Sequence, residues 1–151
     1  MTEREKHEGG CRCRAIRYSV LGPPVMVEYC HCNSCRTSCG SVVSVLAGFQ
    51  RTGFVIHNGI PTYYDSSASV KRSFCGTCGT PLFYENSDYP DEVYISLGSF
   101  DQPEELQPDR HVWESDRISW YQTNDELPHY SQFSSPSLVE SAIRKKESDE
   151  A

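Results

Sequence analysis

Hydrophobic and polar residues alternate along the chain in short runs that end at turn residues. Ile16, Tyr18 and Val20 share one side of such a run, with Arg17 and Ser19 between them. Alternation with a period of two is typical of a strand that buries one face. The pattern therefore predicts an all-β, mainly antiparallel fold, with one turn of helix at residues 33–38. Further runs of this kind lie at residues 25–29, 42–46, 54–57, 62–64, 70–74, 81–84 and 93–97.

The two ends of the chain differ from its middle. Residues 1–8 are charged throughout, and residues 134–151 are polar and end in mixed charge. With 151 residues the chain suits one domain with its own core. We expect a disordered tail at 1–8, a domain at 9–133 and a polar tail at 134–151, with a short helix conceivable at 137–147.

Composition and charge exclude several classes of function. The chain has 14 Lys and Arg against 21 Asp and Glu, a formal charge of -7, and its basic residues are dispersed. Nucleic-acid binding needs concentrated basic residues, so we expect none. The apolar runs fall short of the roughly 18 residues of a membrane span, and the charged start lacks a secretory leader. A cytoplasmic protein is the expectation.

Eight cysteines in a reducing compartment indicate metal binding rather than disulfides. Most of them are separated by one or two residues, a spacing that lets a turn aim two sulfurs at one ion. Cys39 follows the second of three groups as an extra thiol. The groups are a first pair (Cys11 and Cys13), a central trio (Cys30, Cys32 and Cys35) and a last pair (Cys75 and Cys78).

The grouping predicts two zinc ions per chain. A structural zinc site needs four ligands, which two pairs supply. The central trio cannot donate a pair without stranding its third cysteine, so we assign the first and last pairs to one closed, structural site. The trio then forms a second site with an open fourth position, as in catalytic zinc sites. Cys39 is not assigned as a ligand.

The ligands of the trio indicate what the open position accepts. Three thiolates make the zinc complex anionic and weaken the Lewis acidity that hydrolytic sites use. A soft thiol is the natural fourth ligand, and binding would hold it as thiolate at neutral pH. The inferred substrate is therefore a small thiol.

Four segments together resemble the landmarks of the glutathione-dependent formaldehyde-activating enzymes, a family that also includes centromere protein V. They are residues 9–18, 30–40 and 74–82, and residues 111–113 with Trp120. The resemblance implies a tent-like zinc fold with the same division of cysteines. It also implies a carbon–sulfur lyase that joins glutathione, or a related small thiol, and formaldehyde into S-(hydroxymethyl)glutathione.

Three further residues are candidates for binding the substrate. Arg36 could clamp a carboxylate with two hydrogen bonds. His31 lies between two ligands and could support them or face solvent, and His111 could face the site or pack in the core. The family usually has Gly where this chain has Arg14, and a second basic residue where it has Thr37. These departures leave the identity of the thiol open.

Two other functions remain open. A thiol redox protein similar to type-B methionine sulfoxide reductases would have one zinc, free trio thiols and a reactive Cys39. A non-catalytic glutathione carrier or interaction module is the other, because fold alone does not determine function. The general acid or base and the oligomeric state, including a homo-oligomer, do not follow from the sequence.

Overall fold

The computed structural model describes residues 5–132, so the expected tail at 134–151 lies outside the described residues. Within them the chain forms ten strands and one short α-helix, and the prediction of an all-β fold is confirmed. The helix is α1 (Asn33–Cys39). The strands are β1 (Lys6–Gly10), β2 (Arg17–Leu21), β3 (Met26–Cys30), β4 (Ser44–Gln50), β5 (Phe54–Asn58), β6 (Thr62–Asp65), β7 (Val70–Phe74), β8 (Pro81–Asn86), β9 (Glu92–Ser96) and β10 (Arg110–Val112).

The strands form a small and a large sheet. The small sheet has the order β1-β2-β5, and the large one has the order β10-β3-β4-β9-β8-β7-β6. All neighbours are antiparallel except β10, which pairs parallel with β3. Short 3₁₀ helices lie at Arg51–Gly53, Leu97–Ser99, Pro103–Glu105 and Glu114–Asp116. In residues 5–132 no helix is long and apolar enough to cross a membrane.

Aromatic side chains join the two sheets. Tyr18 and Val20 of β2 are buried, as their alternation predicts. The Tyr18 ring meets Phe83 and Phe100 edge-on, with centroids 5.2 and 5.5 Å away, a favoured arrangement for aromatic pairs. Its hydroxyl forms a hydrogen bond with the Ser99 hydroxyl at 2.7 Å, which satisfies the buried polar atom. The small sheet is thus anchored to the large one.

Strand β1 begins before the expected domain boundary at residue 9. Strand β1 starts at Lys6, and the His7 side chain is only 4% exposed. Its ring packs at 5.7 Å from Phe49 and 6.3 Å from Phe100. Lys6 and Glu8 stay exposed on the other face. In residues 5–8 only His7 is buried. Because histidine is polar, this segment lacks the alternation of apolar and polar residues that predicts a strand.

Gly9 offers a test of whether β1 belongs to the cooperative domain. A Cβ at this position would fall against the Tyr18 hydroxyl and 2.5 Å from the Ser99 carbonyl oxygen. Gly9→Ala should therefore lower the free energy of unfolding by about 1–3 kcal/mol, the usual effect of overpacking. Urea denaturation would measure it. Gly98→Ala is the control because its Cβ would meet nothing within 4 Å. Equal unfolding midpoints for both variants would mean that β1 is not part of the folding unit.

Candidate metal centre and substrate cavity

The first and last pairs of cysteines meet at one point. Their four sulfurs lie within 4.8 Å of one another, although Cys13 and Cys75 are 62 residues apart in the chain. The Cys11–Cys13 and Cys13–Cys75 sulfur distances are 3.5 and 3.7 Å. Tetrahedral zinc with bonds of about 2.3 Å would space its sulfurs by about 3.8 Å. The donor set and its spacing therefore fit a zinc ion.

Two tight turns aim these sulfurs. In the first turn, the Arg14 amide donates to the Cys11 carbonyl at 3.0 Å, and Arg14 has a φ of 66°. In the second, the Gly79 amide donates to the Cys75 carbonyl at 2.8 Å, with a φ of 79° at Gly79. Glycine enters this left-handed region without strain, whereas other residues seldom do. The family's usual glycine at position 14 thus corresponds to a backbone requirement that Arg14 meets here.

The trio is built where β3 runs into α1. Cys30 ends β3, and the Cys32 sulfur caps the helix by accepting a hydrogen bond from the Cys35 amide at 3.3 Å. Cys30 and Cys35 are buried, and Cys32 is half-buried. The three sulfurs lie within 4.8 Å of one another. In residues 5–132 this group contains no fourth histidine, cysteine or carboxylate ligand.

The trio thiols oppose one another's ionisation. Hydrogen bonds from Cys30 and Cys35 lower the pKa of Cys32, whereas those with Cys32 and Cys35 raise the pKa of Cys30. Like charges this close cannot all form without a compensating cation. A bound metal ion removes the conflict because it stabilises thiolates. The chemistry of the trio thus fits a metal ion, and all eight cysteines of the chain are free of disulfides.

Arg72 of β7 supports the trio from the opposite side. Its guanidinium donates to the Cys35 sulfur at 3.5 Å and to the Ser38 hydroxyl at 3.0 Å. It also lies over the Tyr84 ring at 5.0 Å from the centroid, within the range of a cation–π contact. Sequence reasoning missed Arg72, because an arginine in an alternating strand is usually exposed. The one sequence feature that could have indicated Arg72 is its position three residues before Cys75.

A cavity of about 530 Å³ opens over the trio. This volume lies within the range of sites that hold small molecules. Its wall includes the aromatic rings of Tyr84, Tyr89, Tyr94 and Trp113. Glu28 lines it as well, and burial raises the pKa of this carboxyl to about 8. The trio is therefore reached from a pocket with both apolar and charged walls.

His31 and His111 lie behind the trio rather than in the cavity wall. Both are fully buried, and His31 Nε2 is 2.8 Å from His111 Nδ1. His111 Nε2 is 3.0 Å from a carboxylate oxygen of Asp125. Burial, followed by the charge of Arg117, lowers the pKa of His31 to about 4. These contacts connect Asp125, in the segment after β10, through His111 to His31 between Cys30 and Cys32. The sequence did not indicate Asp125, because it lies far from the trio along the chain.

Arg36 and Cys39 also face the backbone around the trio. The Arg36 guanidinium donates to the His31 carbonyl oxygen at 2.6 Å and also contacts the Asp116 carbonyl oxygen. The Cys39 thiol donates to the Arg36 carbonyl oxygen at 3.5 Å and lies outside the group of three close sulfurs. Arg36 is thus placed to brace the turn between Cys30 and Cys32.

Comparison with known proteins gives matches over most of the chain. The family model described as glutathione-dependent formaldehyde-activating enzyme matches residues 6–116. An uncharacterized lyase of Schizosaccharomyces pombe is 28% identical over 116 residues, which cover 77% of this chain and 84% of that protein. A Halomonas elongata protein, provisionally named glutathione-dependent formaldehyde-activating enzyme, is 25% identical over 122 residues, covering 75% of this chain and 78% of that protein.

A solved structure shares the fold. The crystal structure of a Rhodobacter sphaeroides protein superposes with a TM-score of 0.53 at 19% identity, covering 81% of this chain and 98% of that one. At this level of identity the likeness concerns the fold alone. It agrees with the strand architecture described above.

The contact between Asp125 and His111 generates a prediction. Asp125→Ala would remove the carboxylate partner of the buried His111 Nε2 and leave it only the Thr123 hydroxyl at 3.4 Å, and a poorly satisfied buried group destabilises the folded state. We expect a lower midpoint of urea unfolding than in the unmodified protein. Asp65→Ala, which removes an exposed carboxylate of β6, is the control and should leave the midpoint unchanged. If both variants unfold at the same urea concentration, Asp125 does not hold His111 in place.

Proposed function

Because the chain belongs to the glutathione-dependent formaldehyde-activating enzyme family, we propose that it is a zinc-dependent carbon–sulfur lyase acting on a glutathione adduct. The resemblance inferred from the cysteine pattern is confirmed, and with it the expectation of an enzyme. The reaction type is the addition of glutathione to formaldehyde to give S-(hydroxymethyl)glutathione, or its reverse. The observation that supports this most strongly is a trio of cysteines opening into a cavity of about 530 Å³.

The two clusters would have different roles. The first and last pairs would hold a structural zinc, and the trio would hold a catalytic zinc, giving two ions per chain. The catalytic ion would keep an incoming thiol in its nucleophilic thiolate form at neutral pH. In the addition, a sulfur–carbon bond forms and the thiol proton ends on the former carbonyl oxygen. The reverse step breaks the same bond.

The side chains around the trio would orient the adduct and limit water. Arg72 holds the Cys35 sulfur and the helix that carries it. The aromatic wall formed by Tyr84, Tyr94 and Trp113 would cover the apolar part of the adduct. Positioning two reactants in this way supplies much of the acceleration of a bimolecular reaction.

Arg36, His31 and His111 stay predictions as substrate contacts. The contacts that they make with one another and with the backbone support a positioning role instead. Their buried hydrogen bonds would keep the turn between Cys30 and Cys32 in one conformation. Ligand orientation by such surrounding groups is common in metal sites.

The redox alternative requires free trio thiols and a reactive Cys39. Cys39 instead donates to a carbonyl oxygen beside the trio and is only half-buried within the turn. A carrier, in contrast, would bind glutathione without turnover. Zinc content would distinguish the redox protein from the lyase, and turnover would distinguish the carrier from it.

Exchange spectroscopy by nuclear magnetic resonance tests the reaction. The zinc-loaded protein should accelerate exchange between glutathione with formaldehyde and S-(hydroxymethyl)glutathione. Cys35→Ser should abolish the acceleration because it removes a trio ligand, whereas Cys39→Ser should retain it. One zinc ion per chain, trio thiols that can be alkylated in the native protein and no acceleration would favour the redox protein. Binding without acceleration would favour the carrier.

Comparing Cys75→Ser with Cys35→Ser tests the two zinc roles. Zinc binding of about 10–16 kcal/mol in a four-cysteine site is comparable to the whole stability of a domain, about 5–15 kcal/mol. Cys75→Ser should therefore lose the near-ultraviolet dichroism of packed aromatic residues. Cys35→Ser should keep it and lose about one of two zinc ions, because its site joins residues adjacent in the chain. The opposite result would reverse the structural and catalytic assignments.

A further inference from the structure

Glu28 occupies a special position with respect to the trio. It lies in the middle of β3 (Met26–Cys30), two residues before Cys30. Alternate residues of a strand point to the same face, so Glu28 and Cys30 face the same side. Both line the cavity of about 530 Å³. A group bound at the trio therefore shares this cavity with the Glu28 carboxyl.

The Glu28 carboxyl is buried without a complete set of partners. The residue is only 7% exposed, and its Oε2 atom has no hydrogen-bond partner within the described part of the chain. Arg110, its register partner on β10, places its Nε 2.7 Å from a carboxylate oxygen of Asp109. A buried carboxyl without enough hydrogen-bond partners is costly whether neutral or charged, and a ligand that supplies a donor would relieve this cost. The orphaned oxygen therefore indicates a ligand.

Several other polar groups of the cavity wall already have hydrogen-bond partners. The hydroxyls of Tyr84 and Tyr89 are 3.1 Å apart, and the Asn86 amide donates to the Tyr89 hydroxyl at 3.0 Å. The Tyr94 hydroxyl donates to Glu92 at 2.8 Å. Among the described residues that line the cavity, Glu28 alone has a buried side-chain oxygen or nitrogen without a partner.

The charge of the wall indicates the kind of donor. Of the described residues lining the cavity, Glu28, Asp88 and Asp116 are acidic, and Arg72 alone is basic. Arg72 is already occupied by Cys35 and two hydroxyl groups. An acidic wall favours a cationic group over a neutral or anionic one. An ammonium group supplies both a positive charge and several hydrogens to the buried carboxylate.

We propose that Glu28 is a specificity residue that selects thiol substrates carrying an ammonium group, by pairing with that group inside the cavity. The inference rests on the proposed function, since it takes the thiol to be bound at the trio. In glutathione the ammonium group belongs to the γ-glutamyl end, so Glu28 would recognise that end. A simple aminothiol would satisfy the same requirement.

Calorimetric titration of the zinc-loaded full-length protein with two matched pairs of thiols tests the proposal. Cysteamine and 2-mercaptoethanol differ by an ammonium in place of a hydroxyl group. Glutathione and its analogue without the amino group differ at the γ-glutamyl end. In at least one pair the ammonium compound should bind about 10- to 100-fold more tightly, as expected for a charge-assisted hydrogen bond.

Two variants assign the preference to a residue. Glu28→Gln keeps the size of the side chain and removes its charge, so the two affinities of the pair should become equal. Asp65→Asn removes an exposed carboxylate that does not line the cavity and should keep the preference. Near-ultraviolet dichroism would establish that both variants are folded. If Glu28→Gln fails to fold, the thiol pairs on the unmodified protein decide the question.

The proposal would be overturned if neither pair showed tighter binding of the ammonium compound, or if the preference survived in Glu28→Gln. Thiol binding without an ammonium preference contradicts this inference but leaves the lyase proposal intact. The absence of binding by every thiol contradicts the proposed function, and the inference falls with it.

Discussion

The meeting of four cysteine sulfurs from two distant turns is the constraint on which the rest of this structure depends. Each turn is short and makes few contacts of its own, yet Cys13 and Cys75 approach to 3.7 Å across 62 residues. A metal ion there would connect the edge of the small sheet to the strand that carries Arg72. Arg72 donates to the Cys35 sulfur and lines the cavity, so such a connection would reach the cavity wall.

The second cluster depends on the fold in another way. Its three cysteines lie within six residues of the chain, so its shape is set locally by the end of β3 and the first turn of α1. The fold contributes the side chains that surround this cluster. Strand β10 places His111 against His31, and β7 places Arg72 against Cys35. The trio thus lines a cavity while His31 and His111 are buried behind it, an arrangement in which surrounding groups could orient metal ligands.

The cysteine groups and most strands could be predicted because their signals are local. Spacing within each group depends on one turn, and the alternation of Tyr18 and Val20 depends on one strand. The remaining features arise from contacts between distant segments. His7 is buried by Phe49 and Phe100, and the exposed Asp125 contacts the buried His111 from another part of the chain. Nothing near His7 or Asp125 in the sequence reveals these contacts, so strand β1 and the role of Asp125 were missed, whereas His31 and His111 were named with their positions left open.

X-ray absorption at the zinc edge tests the central claim, an open three-sulfur site beside a closed four-sulfur site, most directly. Protein with both sites filled should average about 3.5 sulfur neighbours per zinc ion. Saturating glutathione should raise the average to about 4, because a thiol would complete the open site while the closed one is unchanged. An average of 4 before glutathione is added, or a value that glutathione does not change, would contradict the claim.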